Sequence, residues 1–420
     1  MSKTQNSPLA FTVSWIFCGV AFFSAASGAA DDPLARAKAL LARHPVLDGH
    51  NDLPWAIREN AQAPLDVEAY DLRRRTPGDT DLERLRQGGV GGQFWSVYVP
   101  AGSGARAQLE QIDIARRVIA RYPERLAFAA TAAEVEQAMR AGKLASLLGM
   151  EGGHAIENSL GALRSFHALG VRYMTLTHSK TLDWADAAGD APRHSGLTRF
   201  GEEVVREMNR LGMLVDLSHV TPETMEDALR VSEAPVIFSH SSARALCNHA
   251  RNVPDWVLTA LKANGGVVMV TFVNAFVSPE FERAATPLWK EYEERLKGLT
   301  DPTARQALRQ EIKARMPKTK VTIAQVADHV DHVRKLAGVE HVGLGGDYDG
   351  NDSWPEGLED VSGYPRLFAE LVRRGWSDED LARLANGNIL RVLRRAEEVA
   401  SRLHQSRPAS TATIERLDGS

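Results

Sequence analysis

The amino-acid sequence predicts a (β/α)8 barrel, and three observations lead to this fold class. Short apolar segments of strand type alternate with longer amphipathic segments of helix type along the chain. Several strand segments are nearly continuous runs of Val, Leu, Ile and Met, which is typical of strands covered on both faces. Eight such strands, each followed by a helical segment, fit a chain of 420 residues, because barrel domains extend to this size without dividing.

The individual elements follow from the spacing of the apolar residues. Strands are predicted where a short apolar run ends in polar residues, and helices where apolar residues recur every three to four positions. The charge-rich segment 274–321 is predicted to form helical excursions on the barrel, as a lid or an oligomer contact. The predicted strands are 46–50, 93–99, 144–151, 172–178, 214–219, 236–240, 266–272 and 342–347, and the predicted helices include 105–122, 132–141, 201–211, 222–231 and 255–263.

The N-terminal segment differs from the rest of the chain. A short polar start precedes an apolar run at 11–23, and small residues follow at 24–30. This order is typical of a cleaved secretory signal, and the run is shorter than the ~20 residues that a membrane-spanning helix needs. We therefore predict a signal peptide at 1–30, a barrel domain at 31–405 and a flexible C-terminal tail at 406–420. Export without a stable membrane anchor follows from this division.

Composition excludes some classes of protein. Acidic and basic residues are interspersed and the net charge is −4, which argues against a nucleic-acid surface, since such a surface needs clustered Lys and Arg. A hydrophobic fraction of 44% supports a substantial core. After cleavage of the signal only Cys247 would remain, so no disulfide can form within the chain.

The first predicted strand ends in a histidine and a carboxylate two positions apart, His50 and Asp52. Side chains at such positions leave the same face of an extended strand, so the two can bind one metal ion together. Imidazole and carboxylate groups are ligands of Zn²⁺ and of its first-row neighbours. Taken alone, the pattern fits a polar loop after a strand equally well.

Five further predicted strands also end in histidine or carboxylate residues. The carboxyl ends of barrel strands meet at one rim, where the chemistry of such barrels takes place. A rim that is merely solvated would carry Lys, Glu, Ser and Asn rather than histidines after apolar runs. The sequence therefore predicts a metal-dependent active site. The residues concerned are Glu151, His154, His178, His219, His240, Asp347 and Asp349.

Taken together and in this order, the motifs resemble those of the membrane (renal-type) dipeptidase family of the amidohydrolase superfamily. The resemblance extends from about residue 32 to residue 402 and implies a zinc-dependent dipeptidase with two Zn²⁺ ions per chain. Such enzymes hold a hydroxide between the two ions. The matching motifs are 48–55, Glu151-Gly152-Gly153-His154, Leu176-Thr177-His178, Ser218-His219, Ser239-His240, Arg251-Asn252 and 345–350.

The resemblance also implies roles for individual residues. His50 and Asp52 would bind one zinc ion, Glu151 would bridge both ions, and His219 and His240 would bind the second. Asp347 is expected to carry the proton from the attacking water to the departing amine, and we prefer it to Asp349. His178 is expected to polarise the scissile carbonyl, and Arg251 to hold the free C-terminal carboxylate of the substrate. Taken singly, His178 is more often a structural histidine and Arg251 a surface charge partner.

Several alternatives stay open at this point. N-acyl amino acids and β-lactams also carry a free carboxylate that Arg251 can bind, and a D-residue at the C-terminal position of a dipeptide is expected to be accepted. A metal-loaded binding protein without catalysis is the alternative from another class. A homodimer is usual in the family. Mammalian members are disulfide-linked and lipid-anchored, so this chain is expected to be a bacterial, exported, periplasmic member. Asp48 and His154 are candidates for orienting ligands, and Trp55 and Tyr348 for lining the pocket or packing.

Overall fold

The structure is a computed structural model that describes residues 1–5, 9–10, 32–299 and 301–419. Of the predicted signal peptide at 1–30, residues 6–8 and 11–30 lie outside the described residues. Among the helices of the described ranges, none combines the length and the apolar character needed to cross a lipid bilayer.

The described residues contain one parallel sheet that closes on itself almost completely. Its strands follow the order β1-β2-β4-β5-β6-β7-β8-β9, and β3 pairs with β4 beside this path. Beyond β9, Asp347 N donates to His50 O (3.1 Å) and Asp52 N donates to Tyr348 O (2.8 Å), so the chain after the last strand returns to the first. The predicted barrel is therefore confirmed. The strands are β1 Val46–Asn51, β2 Val90–Ser96, β3 Leu126–Phe128, β4 Leu144–Glu151, β5 Val171–Thr175, β6 Leu214–Asp216, β7 Ile237–Phe238, β8 Val267–Val270 and β9 Val342–Leu344.

Helices cover the outside of this barrel, and their ends follow local sequence signals. Thr131 and Glu134 form a reciprocal capping box at the start of one helix. Thr198 and Thr221 cap two others through their side-chain oxygens. The helices are α1 Pro33–Arg43, α2 Leu53–Arg58, α3 Leu82–Gln87, α4 Ala105–Arg121, α5 Ala132–Arg140, α6 Leu160–Ala168, α7 Arg199–Leu211, α8 Pro222–Val231, α9 Asp255–Asn264, α10 Asn274–Val277, α11 Pro279–Leu296, α12 Pro302–Arg315, α13 Ile323–Ala337, α14 Tyr364–Arg373, α15 Asp378–Ala382, α16 Asn388–Ser406 and α17 Ile414–Asp418.

Six of the eight predicted strands, β2, β5, β6, β7, β8 and β9, end two or three residues earlier than the sequence predicts. The ends of β6 and β7 share one cause. The predicted strands 214–219 and 236–240 end at Asp216 and Phe238. The reason is that the Asp216 carboxylate accepts hydrogen bonds from the backbone N–H groups of Ser218 (3.1 Å) and Ser239 (2.8 Å). These donors are therefore satisfied outside the strand ladder, and the backbone is free to turn toward the rim. Strand β3 was not predicted, because three residues are too few to show a period.

The segment between β8 and β9 forms helical excursions, as predicted. Helices α11 and α12 pack on each other, and α12 is fixed to the loop after β9. Arg309 and Lys313 of α12 both pair with the Asp352 carboxylate, at 2.9 and 3.0 Å. The excursion therefore contacts the carboxyl end of the barrel. Its roles as a lid or an oligomer contact stay predictions.

The C-terminal segment, for which the sequence predicts flexibility, contacts the barrel helices. Arg164 Nη1 of α6 donates to Ser410 O (2.9 Å). In helix α17 the side chain of Ile414 is buried. The flexibility of 406–420 stays a prediction.

Candidate metal centre

The barrel brings the predicted site residues together at the carboxyl ends of its strands. Each one stands at the end of a strand or a few positions after it, apart from Arg251, which lies in the loop between β7 and α9. The groups whose ligand-type atoms all lie within 4.8 Å of one another are His50 with Glu151 and His240, Glu151 with His178 and His219, and His50 with Asp52 and Asp347.

Glu151 lies at the centre of this cluster, and its two carboxylate oxygens face different partners. Oε1 is 2.9 Å from His219 Nε2 and 3.3 Å from His240 Nε2. Oε2 is 3.6 Å from His50 Nε2. A carboxylate placed in this way can give one oxygen to each of two cations.

The chemistry of the donor set fits divalent metal ions. His219 Nε2 and His240 Nε2 are only 3.0 Å apart, so two ring nitrogens converge on one point. His50 Nε2 is 3.1 Å from Asp52 Oδ2, while Asp52 Oδ1 is buried with no hydrogen-bond partner. Buried polar atoms without partners are rare and call for a physical explanation. Imidazole nitrogens together with carboxylate oxygens are a ligand set of Zn²⁺ and related first-row ions, and the residues therefore fit a metal centre.

The histidines of the cluster fall into two groups, one with lowered and one with raised pKa values. Burial lowers the pKa of His219 and of His240 well below the usual value, and burial together with Arg251 lowers the pKa of His178 to about 3. These imidazoles are therefore neutral at pH 7, as metal ligands must be. At His50 burial also lowers the pKa, but the neighbouring carboxylates overcome it and raise the value to about 10.

Burial has the largest effect on the pKa of two acidic groups in the cluster, Glu151 and Asp347. It raises the pKa of Glu151 to about 7, against the opposing effect of the His50 charge. It also raises the pKa of Asp347 well above the ordinary value. Carboxylates packed this closely in a buried site repel one another when ionised, and a bound cation would relieve that repulsion.

Asp347 and Asp349 leave the β9 end in different directions. Asp347 Oδ1 is 3.9 Å from His50 Nε2, and the side chain is 14% exposed. Asp349 turns to the loop before α3 instead, where its Oδ1 accepts from Asp79 N (2.8 Å) and its N donates to Asp79 Oδ2 (2.9 Å). Of these two carboxylates, only Asp347 lies in the histidine cluster.

His178 lies at the edge of the cluster, between two aromatic rings. Its Nε2 is 3.8 Å from Glu151 Oε1, and its buried Nδ1 has no hydrogen-bond partner. Its ring centroid is 4.3 Å from that of His219 and 4.8 Å from that of Tyr98. Packing therefore fixes the imidazole while one nitrogen faces the cluster.

Arg251 is a buried cation with donors to spare. Its guanidinium hydrogen bonds go to Ser241 Oγ (3.4 Å) and His240 O (3.3 Å), neither of which is a carboxylate. Its Nε is buried without a partner. The guanidinium also lies over the Phe276 ring, 5.3 Å from the centroid. A buried guanidinium without a hydrogen-bonded carboxylate partner is suited to bind an anionic ligand.

Sequence reasoning missed several residues that hold the cluster in place. Tyr173 OH lies 2.8 Å from His50 Nδ1, and Ser239 Oγ lies 2.8 Å from His240 Nδ1. Tyr173 reads as a packing residue of a predicted strand, so only its position in space reveals its contact with His50. The serine before His240 was part of a recognised motif, and that motif was the available signal.

The Asp48 carboxylate holds the backbone near the cluster in place, rather than orienting a histidine ring. Its carboxylate accepts from His50 N (2.9 Å), Gly346 N (2.7 Å) and Tyr364 OH (2.6 Å), which ties β1 to the turn that carries Asp347. The tight fit at this turn also requires glycine, because a Cβ at Gly345 would come within 1.8 Å of the backbone oxygen of Ser239, which follows β7.

Three candidates from the sequence remain, namely Tyr348, Trp55 and His154. Tyr348 is fully buried and its hydroxyl donates to Leu358 O (3.1 Å), so it packs. Trp55 is half-buried and meets the Tyr98 ring edge-on at 4.9 Å. Both ring nitrogens of His154 are buried without partners.

Comparisons with known proteins show which family the chain resembles. Residues 34–407 match the family described as membrane dipeptidase (peptidase family M19). Dipeptidase 3 of Rattus norvegicus is 41% identical over 400 residues, covering 93% of this chain and 73% of the relative. Dipeptidase verJ of Clonostachys rogersoniana is 42% identical over 391 residues, covering 90% of both chains.

A solved structure shares both the fold and detectable sequence identity. It is the metallo peptidase from Rhodobacter sphaeroides liganded with a phosphinate mimic of the dipeptide L-Ala-D-Ala. The TM-score is 0.69 at 26% identity, and the match covers 84% of this chain and 99% of the other.

Proposed function

The chain belongs to the membrane dipeptidase family and is a metallopeptidase, and from this premise we propose that it hydrolyses dipeptides with a free C-terminal carboxylate at a binuclear zinc site. The observation that carries the proposal is the placement of Glu151, whose two oxygens face different histidines of the cluster. One carboxylate between two sets of ligands is what a two-ion site requires.

In this proposal His50 and Asp52 would hold one zinc ion, His219 and His240 would hold the other, and Glu151 would offer one carboxylate oxygen to each. When bound, the ions supply a Lewis acid that lowers the pKa of a coordinated water toward ~7 and polarises a carbonyl. Tyr173 OH and Ser239 Oγ, which contact the far nitrogens of His50 and His240, keep both rings turned toward the centre.

Asp347 is assigned the proton transfer. Its carboxylate takes a proton from the attacking water as the C–O bond forms, and gives it to the amine nitrogen as the C–N bond breaks. The support for this role is position, because the carboxylate lies beside the cluster while its side chain keeps partial exposure to solvent.

His178 is assigned the carbonyl oxygen of the scissile bond. A neutral imidazole that carries its proton on Nε2 can donate to the oxygen as negative charge develops there. The low pKa that burial gives this histidine keeps it neutral, and the packing of its ring against Tyr98 and His219 fixes the direction of donation.

Arg251 is assigned the C-terminal carboxylate of the substrate. This contact pairs a buried guanidinium that lacks a carboxylate partner with a buried anion, and thereby restricts the enzyme to short substrates with a free carboxyl end. The metallo peptidase from Rhodobacter sphaeroides is liganded with a mimic of L-Ala-D-Ala, and we extend acceptance of a D-residue at the C-terminal position to this chain.

Replacing Arg251 by methionine is expected to lower kcat/KM for a dipeptide with a free carboxylate by roughly 30- to 5,000-fold, since losing one partner of a buried charge pair costs about 2–5 kcal/mol. The same dipeptide with an amidated C-terminus should be hydrolysed equally by both proteins. Arg244→Met is the matched control, because Arg244 lies in the same loop and donates only to the backbone oxygens of Asn252 and Ala250. An unchanged preference for the free carboxylate in Arg251→Met would contradict the assignment.

The metal content tests the proposal directly. The purified protein is expected to carry about two zinc ions per chain by elemental analysis, to lose dipeptidase activity on chelation and to regain it with Zn²⁺. Less than one ion per chain, with no recovery in Zn²⁺, would contradict a binuclear zinc site. A panel that includes N-acyl amino acids and β-lactams identifies the alternative substrates if these turn over faster than any dipeptide.

Export to the bacterial periplasm is also proposed, and it is supported by the signal-type sequence at 1–30. Fractionation of cells that express the full chain should recover the protein in the periplasmic fraction with the first thirty residues removed. A homodimer stays a prediction.

A further inference from the structure

The Asp216 carboxylate lies beneath two of the histidines in the metal centre and is fully buried. Its Oδ1 accepts from the backbone N–H groups of Ser218 (3.1 Å) and Ser239 (2.8 Å). Its Oδ2 accepts from Thr175 Oγ1 (2.5 Å) and Ser239 Oγ (2.6 Å). Four donors therefore surround this carboxylate, and they come from the ends of three neighbouring strands.

Ser239 links this carboxylate to a histidine of the centre. Its Oγ is 2.6 Å from Asp216 Oδ2 and 2.8 Å from His240 Nδ1. A serine hydroxyl carries one proton, and the Asp216 carboxylate already accepts at both of its oxygens from the other three donors. The hydroxyl proton must therefore point to Asp216, because the opposite arrangement would press two oxygen lone pairs together at 2.6 Å.

The remaining hydrogen bond then has only one direction. With its proton given to Asp216, the Ser239 oxygen can only accept from His240, so Nδ1 of that ring carries the hydrogen. The lone pair of His240 is left on Nε2, which faces Glu151 Oε1 (3.3 Å) and His219 Nε2 (3.0 Å). This is the tautomer that a metal ligand coordinating through Nε2 needs.

We propose that Asp216 and Ser239 form a carboxylate–serine relay that sets the tautomer and orientation of His240, and thereby the zinc affinity of the centre. The inference rests on the proposed function, in which His240 is a zinc ligand. Both residues are positioning residues, since both are fully buried and act through His240.

The test measures the zinc dissociation constant of the refilled apoprotein by competition with a chelator. Ser239→Ala is expected to weaken zinc binding by about 10- to 100-fold. Thr175→Ala is the matched control, because Thr175 also donates to Asp216 Oδ2 but contacts no histidine of the centre. Each variant loses one hydrogen bond to the same carboxylate, but only Ser239→Ala also loses the acceptor of His240 Nδ1. Only Ser239→Ala should therefore lose zinc affinity.

Asp216→Asn provides a second, isosteric variant. The asparagine oxygen would keep the two backbone donors, which places its NH₂ group toward Ser239. That group would donate to Ser239, and the hydroxyl would then donate to His240 Nδ1 and drive the ring to the wrong tautomer. Zinc binding should weaken at least as much as in Ser239→Ala.

His240→Ala separates failure of the relay from failure of the proposed function. If this variant loses zinc affinity while Ser239→Ala and Thr175→Ala bind zinc equally, the relay is overturned and the ligand assignment stands. If His240→Ala keeps full zinc affinity, both the ligand assignment and the relay are overturned.

Discussion

Replacing Asp347 by asparagine is expected to lower kcat for dipeptide hydrolysis by about 10²- to 10⁴-fold, the usual contribution of a positioned general acid–base group. An amide cannot take a proton from water or deliver one to the departing amine, although it has nearly the same shape. Zinc content by elemental analysis and KM should stay close to the values of the unmodified protein. The measurement is steady-state kinetics on zinc-loaded protein.

Asp349→Asn is the matched control for this prediction. It is the same substitution two positions away, but the carboxylate concerned accepts from Asp79 N and faces away from the histidines, so kcat should change little. Loss of zinc from Asp347→Asn would instead make Asp347 a metal ligand, since it also lies within reach of His50 and Asp52. Unchanged kcat with full zinc would show that Asp347 does not carry the proton.

The fold and the cluster were predictable for one physical reason. His50, Glu151, His219 and His240 each stand at or just after the end of an apolar run, and parallel strands in a barrel deliver their ends to a single rim. Strand direction therefore converts a one-dimensional pattern into proximity. The prediction therefore needed only the positions of these residues at strand ends, and not the distances between their side chains.

The residues that support the cluster could not be predicted in this way. Tyr173 lies within strand β5. Its contact with His50 depends on which face of β5 turns inward. Phe276 of α10 meets Arg251 only because α10 and the loop between β7 and α9 come together in space. Such contacts depend on the register between strands and on loop paths, and local periodicity contains neither.

The lengths of β6 and β7 show a related limit. The predicted strands extend to the histidines, yet β6 and β7 end earlier, because the carboxylate of Asp216 satisfies backbone donors that would otherwise join the ladder. A side chain that competes with the sheet for hydrogen bonds shifts a strand end without changing the hydrophobic pattern.

Replacing Glu151 by glutamine is expected to have the largest effect on the metal centre. The carboxylate is the one group whose two oxygens face both sets of ligands, and an amide offers one oxygen and one nitrogen donor that repels a cation. At least one of the two proposed ions should be lost, and kcat/KM should fall by about 10³-fold or more, since a metal ion contributes several kcal/mol to such reactions.

Glu157→Gln is the control, because the Glu157 carboxylate accepts from Ala105 N outside the histidine cluster. Thermal unfolding with and without Zn²⁺ provides the measurement that is independent of activity. Binding to the folded state alone raises stability in proportion to the logarithm of the ligand concentration over Kd, so zinc should raise the Tm of the apoprotein and of Glu157→Gln.

In Glu151→Gln this zinc-dependent rise in Tm should be reduced, whereas the Tm of the apoprotein should be unchanged or higher. The reason is that burial opposes ionisation of Glu151 in the absence of metal and raises its pKa to about 7, so a neutral amide relieves the cost of burying a charge. A full zinc-dependent rise in Tm for Glu151→Gln would show that the two ions do not need a bridging carboxylate, and would remove the observation on which the binuclear site rests.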